Sequence, residues 1–413
     1  MEKIIIVGAG PAGMMAAIKA AENGAEVVVL EKMSKPGKKM LITGKGRCNI
    51  TNACDVVELL KNIPGNGKFL NSCLRAYDNE DVQLFFQGLD VPTKVERGGR
   101  VFPVSDKAAD AVNAMVLQLH QLGVKLLTDV KVTEILVEDN KAIGVKCAQG
   151  TVFKGDGVIV ATGGASYPVT GSTGDGYRLA TKVGHHVVTP LPALVPLEIE
   201  DDWARELPGL ALKNVKAILL AEGQRVADYF GEMLFTHFGV SGPIILSMSR
   251  QVAQLLHEHS FLELELDLKP ALSFEQLDAR LLRDFNKYQR KEIKNGMRDL
   301  LPGRLIEPVL DAAYLEPERM INTITKEERH RLIKALKGLS MVISGTRPIA
   351  EAIVTAGGVD VKELNPKTME SNLIKGLYFV GEVTDVDGYT GGFNLQAAFS
   401  MGAAAGNWSV WNS

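Results

Sequence analysis

The chain has 413 residues, 46% of them hydrophobic and 23% charged, with a net charge of −3. That length implies two or three domains, because a single core stops growing well before it. The charge gives no electrostatic case for nucleic acid or an anionic membrane, and no apolar run approaches the ~18 residues that span a bilayer.

Met1-Glu2-Lys3 leads straight into Ile4–Val7, with no charged n-region, apolar core or cleavage site ahead of it. The expectation is a cytoplasmic protein without a secretory signal. Residues 4 to 31 read as strand, glycine turn, helix, strand. Ile4 to Val7 form an apolar strand, Pro11 to Asn23 an alanine-rich helix, and Val27 to Leu30 a second buried strand. The turn Gly8-Ala9-Gly10-Pro11-Ala12-Gly13 has the G-x-G-x-x-G spacing, and the second strand ends in Glu31, 18 residues after Gly13. The spacing alone is weak; between a buried strand and a helix, with the acid following, it is what a dinucleotide needs. Gly8 permits the tight turn, Gly10 lets backbone approach a pyrophosphate, and Gly13 lets the helix pack against the strand. The helix N-terminus offers free N–H groups and partial positive charge to phosphates, and Glu31 can accept from ribose hydroxyls.

Lys38 to Asn52 follows as a loop rich in glycine, lysine and amides, suited to wrapping a pyrophosphate through backbone N–H groups and Arg47. Helical segments are expected at 56–62 and 78–88, and a stronger one from Asp106 to Leu122. Short strands at 124–128, 130–138, 141–147 and 151–153 precede Gly157–Ala161, which enters Thr162-Gly163-Gly164. Glycines through Gly174 and Gly176 would let backbone approach a cofactor where side chains would clash. Pro190, Pro192 and Pro196 mark a boundary. Beyond it lie β-like pieces (Val215–Ala221, Arg225–Phe230, Phe261–Leu268) around a helix from Pro243 to His257. From Ser273, which forms a capping box with Gln276, to about Lys337 the chain reads as helical. β-type sequence resumes at Ile349–Val354, and the chain ends in strand Leu377–Val380, a glycine-rich turn and a helix from Phe393. The fold class is α/β, a nucleotide-binding domain split by an insertion.

The C-terminal segment separates FAD from NAD. A flavoprotein of the two-dinucleotide-binding type needs a distant segment for the ribityl chain and ring. Gly381-Glu382, Asp387 and Gly391-Gly392-Phe393-Asn394-Leu395-Gln396 supply an acid after a strand, then a glycine pair opening a helix. That helix end would stabilise charge developing on reduced flavin.

With both ends in place, the chain resembles a bacterial family of FAD-dependent oxidoreductases that includes aminoacetone oxidases and reductases of oxidised bile acids. The resemblance runs nearly the full length. It rests on Gly37–Asn52, Gly98–Pro103, Gly171–Gly176, Gly231–Pro243 and Thr355–Val359. It implies a Rossmann-type FAD domain with a parallel sheet and an antiparallel meander (1–189 and 360–413), an inserted β-barrel-like domain (190–272 and 340–359) and a small helical domain (273–339). It implies a flavin ring where the FAD domain faces the insert, ribityl contact by Glu382 where the broader pattern has Asp, and an adenine clamp from the Val130 backbone. The candidate cofactor contacts are then Gly8, Gly10, Pro11, Ala12, Gly13, Glu31, Lys32, Lys39, Gly46, Arg47, Cys48, Asn49, Thr51, Asn52, Val130, Ala161, Thr162, Gly163, Gly164, Gly174, Gly381, Glu382, Asp387, Gly392, Phe393, Asn394, Leu395 and Gln396.

Flavin carries the redox chemistry, so the protein must place a substrate carbon and manage a proton. His237, Tyr389 and Arg47 are the candidates for the proton. The four cysteines lack zinc spacing, no metal cluster is expected, and Cys48 with Cys54 read as buried thiols more readily than as a redox pair. A second nucleotide-binding turn is missing, so NAD(P)H would visit the flavin transiently, or oxygen would take the electrons. The expected partner is a small molecule, either an activated C=C compound to be reduced or an amine to be oxidised with peroxide released. Nucleic acid and membrane are not expected, and the oligomeric state is not readable. A redox sensor or an RNA-binding flavoprotein is the reading from another class.

Overall fold

A computed structural model describes residues 1–411. Runs of β-branched and aliphatic residues make five short strands, β1 (Lys3–Val7), β2 (Glu26–Leu30), β3 (Lys125–Leu127), β4 (Gly157–Val160) and β5 (Leu377–Phe379), of which all but the edge strand β3 are mostly buried. They form one parallel sheet in the order β5-β4-β1-β2-β3. Fully apolar strands suit a parallel sheet covered on both faces.

Helix α1 (Pro11–Glu22) follows β1, and the C-terminal helix α2 (Phe393–Trp411) lies against it. The contact is close because it is built from small residues. A Cβ added to Gly402 would lie 2.4 Å from the Ala12 carbonyl oxygen, and one added to Gly406 would lie 2.5 Å from that of Ala16. Val132–Glu138, Lys141–Cys147 and Val152–Lys154 form the antiparallel meander. Its first turn, Asp139-Asn140, has positive φ at both residues (46° and 59°), as a tight hairpin requires.

Two compact units emerge: residues 1–193 with Ile349 onward, and Leu194–Pro348. The break differs from the sequence reading. Ile349–Val354 is not β from its start: Ile349–Glu351 is a 3-10 turn and the strand is Val354–Val359. That strand pairs antiparallel with Val187–Ala193, which ties residues 349–359 to the first unit rather than to the insert. The pairing uses glycine: Gly357 has φ +82°, and a Cβ there would meet the Thr189 oxygen at 2.4 Å. A further small sheet of Thr51–Asn52, Arg100–Pro103 and Thr93–Val95 was not expected. Its strands are two to four residues long, too short to show an alternation.

In the second unit six strands close a barrel. They are Leu197–Ile199, Gly239–Ser241, Gln224–Thr236, Ala211–Ala221, Leu262–Asp267 and Leu339–Thr346. Helices Phe274–Lys287, Gly303–Ala312 and Lys326–Lys337 share one continuous apolar core with it, from Leu197 through Leu281 and Leu310 to Ile343. Barrel and helices are therefore one unit, not the two the sequence suggests. The Ser273–Gln276 capping box forms as read.

Candidate functional site

Parallel strands end on one edge. Along that edge, Gly381-Glu382 follow β5, Ala161–Gly164 follow β4, Gly8–Gly13 follow β1, Glu31 follows β2, and Val130 lies just past β3. Five stretches from across the sequence thus come together in strand order, roughly 4.8 Å apart. The chain runs one way from β1 (to β2 and β3) and the other way to β4 and β5, so the switch point lies between β1 and β4, where such sheets bind ligands.

The glycines of the turn differ in what they do. Gly8 has φ +104°, and a Cβ there would sit 2.5 Å from the Ala161 oxygen; a Cβ on Gly13 would sit 2.0 Å from the Gly8 oxygen. Both are fixed by packing. A Cβ on Gly10 would meet nothing within 4 Å, so this glycine borders open space at the N-terminus of α1. Gly10 caps that helix without a side-chain hydrogen bond, and Pro11 takes the first position. The N–H groups of Ala12 and Gly13 have no acceptor within the helix and bear its positive end. Glu31 is 9% exposed and accepts from the N–H of Ala9 (2.7 Å) and of Met33 (2.8 Å), which ties the turn to the end of β2. The Val130 N–H donates to the Glu31 carbonyl at 2.9 Å.

Glu382 anchors a network. The Lys39 ammonium donates to Glu382 Oε2 at 2.6 Å and to Ser166 Oγ at 2.7 Å. Ser166 Oγ donates to Glu382 Oε1 at 3.0 Å, and the Thr355 N–H donates to the same oxygen at 2.9 Å. Thr355 Oγ1 accepts from the N–H groups of Ala165 (2.9 Å) and Ser166 (3.2 Å). Gly164 must be glycine here, since a Cβ would lie 2.4 Å from Thr355 Oγ1. Ser166 and Thr355 were not singled out in the sequence; the Thr-Ala-Gly-Gly run was the signal for the second. Lys32, at the edge beyond β2, instead pairs with Asp175 and donates to Thr173 Oγ1 at 2.6 Å. Burial raises the Asp175 carboxyl, but Lys32, Thr173 and Arg178 outweigh it and hold the group below its usual range. Gly174, at φ +71°, turns the chain into the helix Asp175–Lys182.

Residues 43–52 and the entry to α2 are knitted together. Thr51 Oγ1 donates to Gln396 Oε1 at 2.5 Å, and the Gln396 amide donates to Ser400 Oγ at 3.0 Å. Asn52 donates to the carbonyls of Gly98 and Gly391, both at 3.0 Å. Asn394 exchanges two hydrogen bonds of 2.8 Å with the Gly388 backbone. A Cβ on Gly392 would lie 2.3 Å from the Thr51 oxygen. The amides of Asn52, Asn394 and Gln396 thus brace the site, while Phe393 and Leu395 are buried in the core behind it. Asp387 is 2% exposed, and its carbonyl accepts from the Gly65 N–H at 3.0 Å. Gly46 has φ +83° with open space around it.

Three side-chain polar atoms of this unit, Asn49 Oδ1, Tyr77 Oη and Thr162 Oγ1, are buried without a hydrogen-bond partner, and Asn49 and Thr162 lie on the loop after β2 and the turn after β4. Buried polar atoms are rarely left so. With the open Gly10, the free N–H groups of α1 and the acids ending β2 and β5, these residues fit a bound dinucleotide.

The proton-transfer candidates differ in their surroundings. The Arg47 guanidinium is committed to Glu96 and Asp106, its Nε 2.7 Å from Asp106 Oδ1, and it stacks 4.1 Å from the centre of Phe102. Arg47 holds the Glu96 carboxyl below its usual range, and Lys94 with Arg47 does so for Asp106. His237 is exposed in the turn between Gln224–Thr236 and Gly239–Ser241 of the second unit, its ring edge-on to Phe238. Tyr389 is half-buried against the first unit's core, on the loop entering α2. Cys48 is fully buried and burial pushes its thiol up to about 12. No disulfide joins Cys48 and Cys54, and no group of metal-binding side chains occurs among the described residues.

Residues 2–408 match the family described as HI0933-like protein Rossmann domain. The chain belongs to that family, and with it to the FAD-dependent oxidoreductases. It is 33% identical to a 3-dehydro-bile acid delta(4,6)-reductase of Clostridium scindens, over 98% of both chains. It is 32% identical to a ribosomal RNA dihydrouridine synthase of Haemophilus influenzae, over 97% of this chain and 96% of that protein. Among solved structures it is similar in fold to 3-ketosteroid delta1-dehydrogenase of Sterolibacterium denitrificans, with a TM-score of 0.54 and 14% identity over 100% of both chains. No helix among the described residues is long and apolar enough to cross a membrane.

Proposed function

We propose that this oxidoreductase uses FAD to reduce a C=C bond conjugated to a carbonyl, with NAD(P)H as the electron donor. One observation carries the reading. The two relatives, each similar over nearly the whole chain, bear names that differ in substrate and share a reaction. A 3-keto steroid with 4,6 unsaturation and a uracil ring each present an alkene conjugated to a carbonyl, and both names describe its saturation.

In this reading the N–H groups of Ala12 and Gly13 take the pyrophosphate at the positive end of α1. Glu31 keeps lone pairs for the adenosine ribose beside its two backbone donors. Lys39 and Glu382, already held together, take the ribityl hydroxyls, and the N–H groups at Gly392–Phe393 face the flavin ring's acceptor edge. FAD held by these residues would supply the hydride chemistry for the substrate's β-carbon. Tyr389 supplies the proton for the α-carbon: its hydroxyl has no hydrogen-bond partner among the described residues, and Asn394 holds its backbone carbonyl at 3.3 Å. Arg47 and His237 are given no role, since one is spent on two carboxylates and the other projects from a barrel turn.

The test is anaerobic. NADH or NADPH is added to the purified yellow protein, and the reduced flavin is then offered 3-keto-4-ene steroids or uridine-containing oligonucleotides. Bleaching followed by reoxidation with a saturated product supports the reading. Bleaching by amines instead, with peroxide on admitting air, would replace it with an oxidase. Tyr389→Phe should slow product formation while leaving flavin reduction by NAD(P)H intact.

A further inference from the structure

The chain leaving β4 makes a long excursion before the helix Asp175–Lys182. The two ends of that loop stay together. The Gly174 N–H donates to the Gly164 carbonyl at 3.0 Å, and a Cβ on Gly163 would lie 2.9 Å from Ser172 Oγ. Between these points the loop reaches both ways along the sheet edge. On one side Ser166 Oγ bonds to Glu382, past β5, and to Lys39. On the other, a Cβ on Gly171 would lie 2.9 Å from Met33 Cγ and 3.4 Å from Lys32 Cε, just past β2. Lys32 donates to Thr173 Oγ1 at 2.6 Å and also to Asp175. Since β1 lies between β4 and β2, a loop rooted on β4 must pass the end of β1, with its Gly8–Gly13 turn, to reach Lys32. The distance covered is two strand spacings, roughly 10 Å.

From this we infer that residues 165–175 form a strap across the dinucleotide and that Lys32 and Asp175 are its latch, so that FAD enters and leaves when this pair opens. The inference rests on the FAD reading above and on no particular substrate. The two ends of the strap are held unequally. Ser166 is fully buried and bonded to Glu382, Lys39 and Thr355. The other end is fastened to β2 through the Lys32 side chain, which is 22% exposed. Asp175 also pairs with Arg178 and lies 4.0 Å from Lys131. Arg178 belongs to the strap's own helix, and Lys131 follows β3, so neither ties the strap to β2. The open space beside Gly10 leaves room for a diphosphate at the turn that the strap passes. Lys32 is thus a positioning residue rather than a phosphate contact, because Asp175 and Thr173 already hold its ammonium. Breaking one charge-assisted hydrogen bond is the step that lets the strap lift.

The experiment follows FAD fluorescence in stopped flow, as the full-length apoprotein takes FAD up and as the loaded protein releases it on dilution. Lys32→Gln should raise the association and dissociation rates together by about 10- to 100-fold, the effect of losing one charge-assisted hydrogen bond, and leave Kd within about threefold. Asp175→Asn should do the same. The double variant should be no faster than either single one, because all three lose the same interaction. Lys32→Arg, which keeps the charge and the reach, should restore slow exchange. Lys131→Gln removes a charge near the same carboxylate from a side chain that is 55% exposed, and should leave both rates within about twofold. A faster release with unchanged uptake, and Kd weakened to match, would make Lys32 a direct FAD contact and overturn the latch. Multiplied effects in the double variant, or rates untouched by both substitutions, would overturn it as well. In each of these cases FAD still binds and the reductase reading stands, whereas a chain that takes up no FAD would sink both.

Discussion

Lys39 and Glu382, 343 residues apart in the chain, meet at 2.6 Å beside the ends of β4 and β5. The pair joins the loop after β2 to the strand that completes the sheet, so the two ends of the sequence must both be folded for the site to exist. Both side chains are about one-fifth exposed (21% and 19%), and a charge-assisted hydrogen bond there contributes about 1.5–3 kcal/mol. Glu382→Gln keeps the shape and removes the charge. It should weaken FAD binding about tenfold or more, read by titrating the apoprotein with FAD. Unchanged affinity would show that Glu382 only braces Lys39, Ser166 and Thr355.

The glycine turn makes a sharper test because its members answer differently. Gly10→Ala adds a methyl to open space, so the melting temperature should hold while FAD affinity falls. Gly8→Ala forces φ +104° on a residue with a Cβ and drives it to 2.5 Å from the Ala161 oxygen. It should cost about 2–4 kcal/mol of stability, from the left-handed conformation and the clash together. Melting curves and FAD titrations on both variants separate the roles, and equal stability loss would sink the distinction.

The parts of this fold legible in the sequence were those with long apolar runs and spaced glycines. Ile4–Val7, Val27–Leu30, the turn between them and the Ser273 cap all stand as read, because local propensity and tertiary packing agree there. The strand Val354–Val359 was misplaced because its glycines lower β-propensity; they are there for the 2.4 Å approach to Thr189, visible only once the partner strand is present. Arg47 sits in a loop suggestive of phosphate binding, yet it is taken by Glu96 and Asp106, which lie on segments the sequence reading did not connect to it.

His185 offers a pH prediction. Its Nδ1 lies 2.9 Å from Glu363 Oε2, its Nε2 2.9 Å from Ser371 Oγ, and its ring stands edge-on to Phe379. The order serine, histidine, acid is that of a hydrolase, but Ser371 Oγ already accepts from the N–H groups of Leu373 (3.0 Å) and Ile374 (2.9 Å). With its lone pairs filled the hydroxyl is a brace, not a nucleophile. Burial lowers the His185 pKa, with Glu363 opposing. The unfolded chain therefore binds the proton more readily, and the stability from neutral His185 is present above about pH 6.5 and lost as pH falls toward the folded value. Denaturation midpoints should drop from pH ~7.5 to ~5.5 by at most about 1.4 kcal/mol per pH unit from this group, and less in His185→Gln. An identical pH dependence in the variant would remove His185 from the account.

The cysteines decide whether a protein dithiol takes part in electron transfer. A redox pair needs an accessible thiolate. Cys48 is fully buried and its thiol is pushed up to about 12, as is that of Cys73; Cys54 alone of the four is not buried. Folded protein treated with a thiol reagent near pH ~8 should label Cys54 first and expose Cys48 and Cys73 only on denaturation. Cys54→Ser should keep the flavin spectrum and the rate of reduction by NAD(P)H. Rapid labelling of native Cys48, or a slowed flavin reduction in Cys54→Ser, would reinstate the dithiol. The opposite outcome leaves FAD as the redox centre and Lys39, Glu382 and Tyr389 as the side chains to pursue.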